Sequence, residues 1–153
     1  LFPYTTLFRS HFSRYSACVL DGDQKTERFE KLDNCIKLPT EAGGLRSPEQ
    51  EIEYFLMKAI NNPKGKEHET LLKKKISWDF LQKEINDLQK SLSKVGKEDK
   101  KRRDAYKKWF SHISAKDRAD IISAWVDTHP EEVKGFADKY LKVLSVVKRR
   151  IGN

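Results

Sequence analysis

The apolar positions of this chain change their period once along its length. Before residue 40 they fall in short, nearly continuous runs; from residue 48 they recur every three or four residues. Residues 15–20, "YSACVL", have the length and apolar content of a buried strand. Cys35, Ile36 and Leu38 form a second short strand over 34–38, stopped by Pro39, which has no N–H for a ladder. "TEAGG", residues 40–44, predicts a flexible loop. The stretch "SPEQEIEYFLMKAI" then carries a helix start, with Ser47 as N-cap, Pro48 at the first helical position and Gln50 three residues past the cap. Ile52, Phe55, Leu56, Ala59 and Ile60 follow at helical spacing, a stripe suited to packing on a sheet.

Beyond residue 61 only helical periodicity remains. "NNPKGK", residues 61–66, is a breaker. Leu81, Ile85, Leu88, Leu92 and Val95 make a narrow stripe of the kind found in a helical hairpin or short coiled coil, and Gly96 is its stop. Ala105, Tyr106, Trp109, Phe110 and Ile113 share the next face. Ser114 and Asp117 have cap spacing and lead into Ile121, Ile122, Trp125 and Val126. In "THPEEV", Thr128 and Glu131 have capping-box spacing with Pro130 in the first turn. The last apolar face is Val133, Phe136, Ala137, Tyr140, Leu141, Leu144 and Val147. No internal repeat is visible. The pattern predicts an α/β fold, the remnant of a parallel sheet followed by a basic, all-helical C-terminal region. In such a sheet the strands at 15–20 and 34–38 should lie side by side and parallel.

Composition narrows the function classes. The 153 residues hold 37% hydrophobic against 35% charged positions, so only some helix faces can be buried. The net charge of +8, from 31 Lys+Arg against 23 Asp+Glu, favours a polyanionic partner such as DNA or RNA. Three runs concentrate it: "KKK" at 73–75, "KKRR" at 100–103 and "KRR" at 148–150. A solvated helix face is the plainer explanation of each. Cys18 and Cys35 both sit in apolar runs and read as reduced core residues of a cytoplasmic protein, not as a disulfide framework. No run approaches the roughly 18 residues of a membrane span, and no signal peptide is recognisable. His11, His68, His112 and His129 show no zinc-ligand spacing with the cysteines.

Candidate chemistry concentrates at "LDGDQK". Asp21 and Asp23 follow the first strand at a spacing of two, which on an extended chain turns both carboxylates the same way. Paired oxygens of this kind suit a hard cation such as Mg²⁺ or Mn²⁺, with Gly22 giving a tight turn between them. Asp-Gly is also a common turn dipeptide, so a plain turn explains the same residues. An EF-hand does not, because Lys25 and Thr26 stand where that loop wants Asp or Asn and then Gly. At the carboxyl edge of a parallel sheet, Asp21 and Asp23 would lie where open α/β folds place their sites.

The order strand, D-G-D, second strand ending in "LP", glycine-rich loop and "SPE" opening a helix resembles the Toprim domain of OLD-family (overcoming-lysogenization-defect) ATP-dependent nucleases. The matching pieces are "LDGDQK", "LPTEAGGLR" and "SPEQEI"; the tail "KKWF…AWVDTHPEEVKGFADKYLKVL" is similar to the helical end of those chains. The resemblance covers residues 16–60 and 104–147. It implies a truncated Toprim-like sheet over residues 11–62 and a helical region over 63–153. It further implies that Asp21 and Asp23 hold a divalent metal, that Glu49 of "SPE" serves a second one, and that Lys108 assists catalysis. Two cations about 4 Å apart would clamp the attacking and leaving oxygens of a phosphodiester. The family's first strand and leading glutamate have no counterpart here, which implies weak metal binding and no turnover by this segment alone. The family's LPG reads "LPT", with glycines at 43 and 44. No G-x-x-x-x-G-K-[ST] occurs, so ATP enters only through an upstream domain.

Two alternatives compete with this reading. A haloacid-dehalogenase-like phosphatase also opens with apolar residues and D-x-D, but wants Thr or Val where Lys25 stands. A basic helical module could bind nucleic acid without catalysis. The opening "LFPYTTLFRS" resembles, codon by codon, a translated sequencing adapter. Leu1–Ser10 is therefore set aside from the fold, is expected to bury little, and implies a natural chain that continues upstream of His11.

Overall fold

A computed structural model describes residues 15–25 and 32–152. The expectation for Leu1–Ser10 lies outside those residues. Among the described residues two strands and six helices follow one another: β1 Cys18–Leu20, β2 Cys35–Lys37, α1 Pro48–Asn61, α2 Lys66–Lys73, α3 Trp78–Val95, α4 Asp99–His112, α5 Ala115–Thr128 and α6 Pro130–Ile151, with a 3-10 turn at Glu41–Gly43. They fall into two compact units, one of residues 1–47 with 131–153 and one of residues 48–130. The protein is thus mostly helical with a small parallel sheet. Among the described residues no helix is long and apolar enough to cross a membrane.

In the first unit β1 and β2 pair in parallel, with Cys18 opposite Cys35, Val19 opposite Ile36 and Leu20 opposite Lys37. Cys18, Leu20 and Ile36 are buried. The strands are shorter than the apolar runs that predict them, for local reasons at each end. Buried Asn34 accepts from the Cys18 amide at 2.9 Å through its backbone carbonyl, while its side chain donates to the Ser16 carbonyl at 2.7 Å. At the other end the Leu38 amide still reaches the Leu20 carbonyl at 2.8 Å, and then Pro39 has no N–H to offer. Beyond Pro130, α6 belongs to this unit, and its Arg150 bonds Asp33 at 2.5 Å just ahead of β2. The expected face of α6 is only partly buried. Of that face only Val147 is buried, and Val143, outside it, is buried as well, whereas Tyr140, Leu141 and Leu144 remain exposed.

The second unit is a helical bundle around α1. Ile52, Phe55, Leu56 and Ala59 are buried as the pattern predicts, but they pack among α2, α3, α4 and α5, where the sequence suggested a sheet. α1 also buries a carboxylate: Trp125 Nε1 of α5 donates to Glu51 Oε1 at 3.0 Å. His129 stacks on Trp125 at 4.5 Å and meets Phe55 edge-on at 6.1 Å. Glu53 accepts from the Tyr106 hydroxyl at 2.7 Å, joining α1 to α4; burial first, then that carboxylate, pushes the Tyr106 phenol above its ordinary range. Lys58 bonds the buried Glu67 at 3.0 Å. Burial alone would raise the Glu67 carboxyl, but the Lys58 hydrogen bond and charge, with Lys66 nearby, hold it below its usual value.

Two helix ends behave as the sequence predicts and one does not. Ser114 caps α5, accepting from the Asp117 amide at 3.1 Å, and Gly96 ends α3 at φ +65°. Thr128, however, is the last residue of α5 and caps nothing ahead of it: its hydroxyl donates back to the Ala124 and Trp125 carbonyls at 3.0 and 2.9 Å. The helix α2 has no counterpart in the periodicity reading. It ends in a Schellman motif, with the Ile76 amide on the Leu71 carbonyl and the Lys75 amide on Leu72. Lys75 sits there at φ +60°, a conformation that costs an L-residue about 1–2 kcal/mol. Lys75→Gly should therefore raise stability by about 0.5–1 kcal/mol after the glycine's own entropy cost. A higher urea midpoint at unchanged slope is the readout; a lower midpoint would overturn the assignment.

Candidate functional site

Asp21, Gly22 and Asp23 follow directly on the carboxyl end of β1 and form a turn closed by the Gln24 amide on the Asp21 carbonyl at 3.1 Å. The two acids are therefore brought together by a turn, not by an extended strand, so alternation along a strand does not describe their relation. Asp21 is exposed and Asp23 half-buried, with Gln24 Nε2 donating to Asp23 Oδ1 at 3.3 Å. Gly22 between them is buried. Its backbone is not in the left-handed region; what it needs is space, since a Cβ there would stand 2.5 Å from the Arg46 carbonyl oxygen and 2.7 Å from Thr40 Cγ2.

Those contacts come from the segment after β2, which is a compact turn where the sequence suggests a flexible loop. Thr40 Oγ1 donates to the Gly44 carbonyl at 2.6 Å, and Arg46 Nη2 to the Glu41 carbonyl at 2.7 Å. Ala42 at φ +52° and Gly43 at φ +67° carry the chain through the left-handed region.

The other two predicted site residues belong to the helical unit. Glu49 lies in the first turn of α1 and is half-buried. Lys108 is exposed on α4, at the rim of a cleft of about 600 Å³ between α3 and α4. Leu88, Val95 and Trp109 line that cleft, with Lys94 and His112 beside Lys108. Trp109 is buried, and its Nε1 finds no acceptor among the described residues. Among the described residues no three His, Cys, Asp or Glu side chains gather as a metal site of that kind would need.

Each of the three basic runs has a member that is held and others that are exposed, and α4 is set apart by the further cations around its run. Lys74 of "KKK" is held by Asp127 and Ser123, each at 2.8 Å, and Lys75 ends a helix. Arg150 of "KRR" is held by Asp33. On and just before α4, seven Lys or Arg stand against three Asp or Glu over residues 97–112. Lys101 pairs with Glu98 at 2.6 Å, whereas Lys97, Lys100, Arg103, Lys107 and Lys108 are exposed and meet no acid among the described residues. Sequence alone ranked the runs equally, because their ion-pair partners lie far off in the chain.

Compared with known proteins, the chain matches no family model, no curated protein and no solved structure.

Proposed function

We propose that this chain is a segment of an OLD-like, ATP-dependent nuclease and contributes the D-x-D half of a Toprim site that cleaves phosphodiesters with divalent metal. The observation that carries the reading is the parallel pairing of β1 with β2 and the position of Asp21 and Asp23 at the carboxyl end of β1. In this reading Asp21 and Asp23 are the hard oxygen ligands, Glu49 is the later acid, and Lys108 assists at the phosphate. Mg²⁺ or Mn²⁺, when bound, supplies charge stabilisation for the attacking and leaving oxygens. ATP would be handled outside these 153 residues, which carry no phosphate-binding loop.

The test is a Mn²⁺ titration of thermal stability. A ligand at ten times its Kd stabilises by about 1.4 kcal/mol, worth roughly 3–6 °C in a chain of this size. The protein should show that rise at millimolar Mn²⁺, and the Asp21→Asn, Asp23→Asn variant should lose it. An equal response in both would remove the site.

A second reading rests on its own observation, the unpaired cations of α4. It takes α4 as the surface that holds DNA or RNA through the phosphates, with or without catalysis.

A further inference from the structure

Cys18 and Cys35 are not merely two core thiols. They are register partners on adjacent parallel strands. Such partners project to the same face of a sheet, and neighbouring strands lie about 4.8 Å apart. A disulfide asks for a Cα separation of about 4.4–6.8 Å, so this register already supplies the spacing. The pairing is also secured on both sides, by the Cys18 amide on the Asn34 carbonyl and by the Leu38 amide on the Leu20 carbonyl. Both sulfurs are free in the structure; Cys18 is buried and Cys35 half-exposed.

We infer that Cys18 and Cys35 form an oxidisable dithiol, a modification site at which a peroxide closes an intrachain disulfide across β1 and β2. Cys35, the accessible member, meets the oxidant. Its thiolate attacks one peroxide oxygen, an S–O bond forms as the O–O bond breaks, and the leaving hydroxide takes up a proton to give water. Cys18, deprotonated, then attacks the Cys35 sulfenic sulfur; the S–S bond forms, the S–O bond breaks, and a second water leaves. Two thiols and one hydrogen peroxide thus give one disulfide and two waters, with the sulfurs oxidised by the two electrons the peroxide gains. The bond closes residues 19–34 into a covalent loop and clamps β1 just ahead of Asp21. Burial raises both thiols; the neighbouring Cys18 lifts Cys35 further, to about 12, while the hydrogen bond with Cys35 only partly offsets the rise of Cys18, so thiolate is scarce at neutral pH and closure is slow. The inference is independent of whether Asp21 and Asp23 bind metal.

The test treats the full folded chain with hydrogen peroxide and follows intact mass and free thiols. The chain should become about 2 Da lighter, lose both of its two thiols to alkylation, and yield a single digest product linking Cys18 to Cys35. Dithiothreitol should reverse all three changes. The oxidised chain should also melt at a higher temperature, because the cross-link restricts the unfolded state. Cys35→Ser, which cannot close the bond, should never become lighter. Persistence of both thiols, oxygen addition on each sulfur, or a disulfide-linked dimer in place of the internal link would each overturn the inference.

Discussion

Phe55→Ala should cost the helical unit about 3–5 kcal/mol, the largest stability loss expected of a single substitution here. Phe55 is fully buried on α1, the helix that α2, α3, α4 and α5 all touch. Its ring also meets His129 edge-on, and His129 in turn stacks on the Trp125 that donates to Glu51. Truncation at that point removes apolar contact from several helices at once, and a bundle held from four sides cannot collapse into the void without moving all of them. The core is lean for a chain with 35% charged residues, so little is held in reserve. Domains of ordinary size have about 5–15 kcal/mol in total, which puts the variant near the edge of folding. Urea unfolding of Phe55→Ala and Phe55→Leu beside the parent is the measurement. The leucine variant, closer in volume, should keep most of the stability. A loss below about 1 kcal/mol for the alanine variant would show that α1 is not the centre of the packing.

The features legible in the sequence are those whose causes are local. The two strands announce themselves by apolar runs, and the parallel pairing of β1 with β2 follows the expectation. Ser114 and Gly96 mark helix ends through bonds and dihedrals confined to a few residues. The stripe Leu81, Ile85, Leu88 and Leu92 is buried as its spacing predicts. What was not legible depends on residues distant in the chain. α2 is eight residues long and buries only Leu71 and Glu67, too few positions for a periodicity to emerge. Glu51, Glu67 and Asn34 look like surface residues until Trp125, Lys58 and Ser16 are brought to them. Thr128 illustrates the opposite hazard. Its spacing to Glu131 suits a capping box, but α5 runs on to Thr128 itself, and the hydroxyl turns back to carbonyls it can already reach.

The candidate site divides along the same line. The position of D-G-D at a strand end could be read directly, because an apolar run followed by acids leaves few choices. Its conformation could not. The reason for glycine at position 22 is the carbonyl of Arg46, from a segment whose path the local sequence does not encode. The acids therefore lie in a turn, and any cation they hold must be met by the exposed Asp21 and the half-buried Asp23 in that geometry.

Removing three charges from α4 should have the largest effect on any nucleic-acid affinity. Lys100, Arg103 and Lys107 lie at i, i+3 and i+7, on one side of the helix, and all three are exposed. None meets an acid among the described residues, so each is available to a phosphate without first breaking an ion pair. Alanine at all three positions preserves helix propensity, which separates loss of charge from loss of fold. Binding to a fluorescent single-stranded DNA oligonucleotide should weaken roughly ten- to a hundredfold at low salt, and the slope of log affinity against log salt should fall by about 2. Lys148→Ala with Arg149→Ala on α6 supplies the comparison, because these two cations are likewise exposed but lie on another helix, and their removal leaves the Arg150–Asp33 pair intact. If both variants lose affinity alike, binding follows net charge and α4 has no special role. If neither does, the excess of basic residues serves solvation alone. A loss confined to the α4 variant, with its circular-dichroism spectrum and melting temperature unchanged, assigns the phosphate-binding surface to that helix, whatever becomes of the metal site.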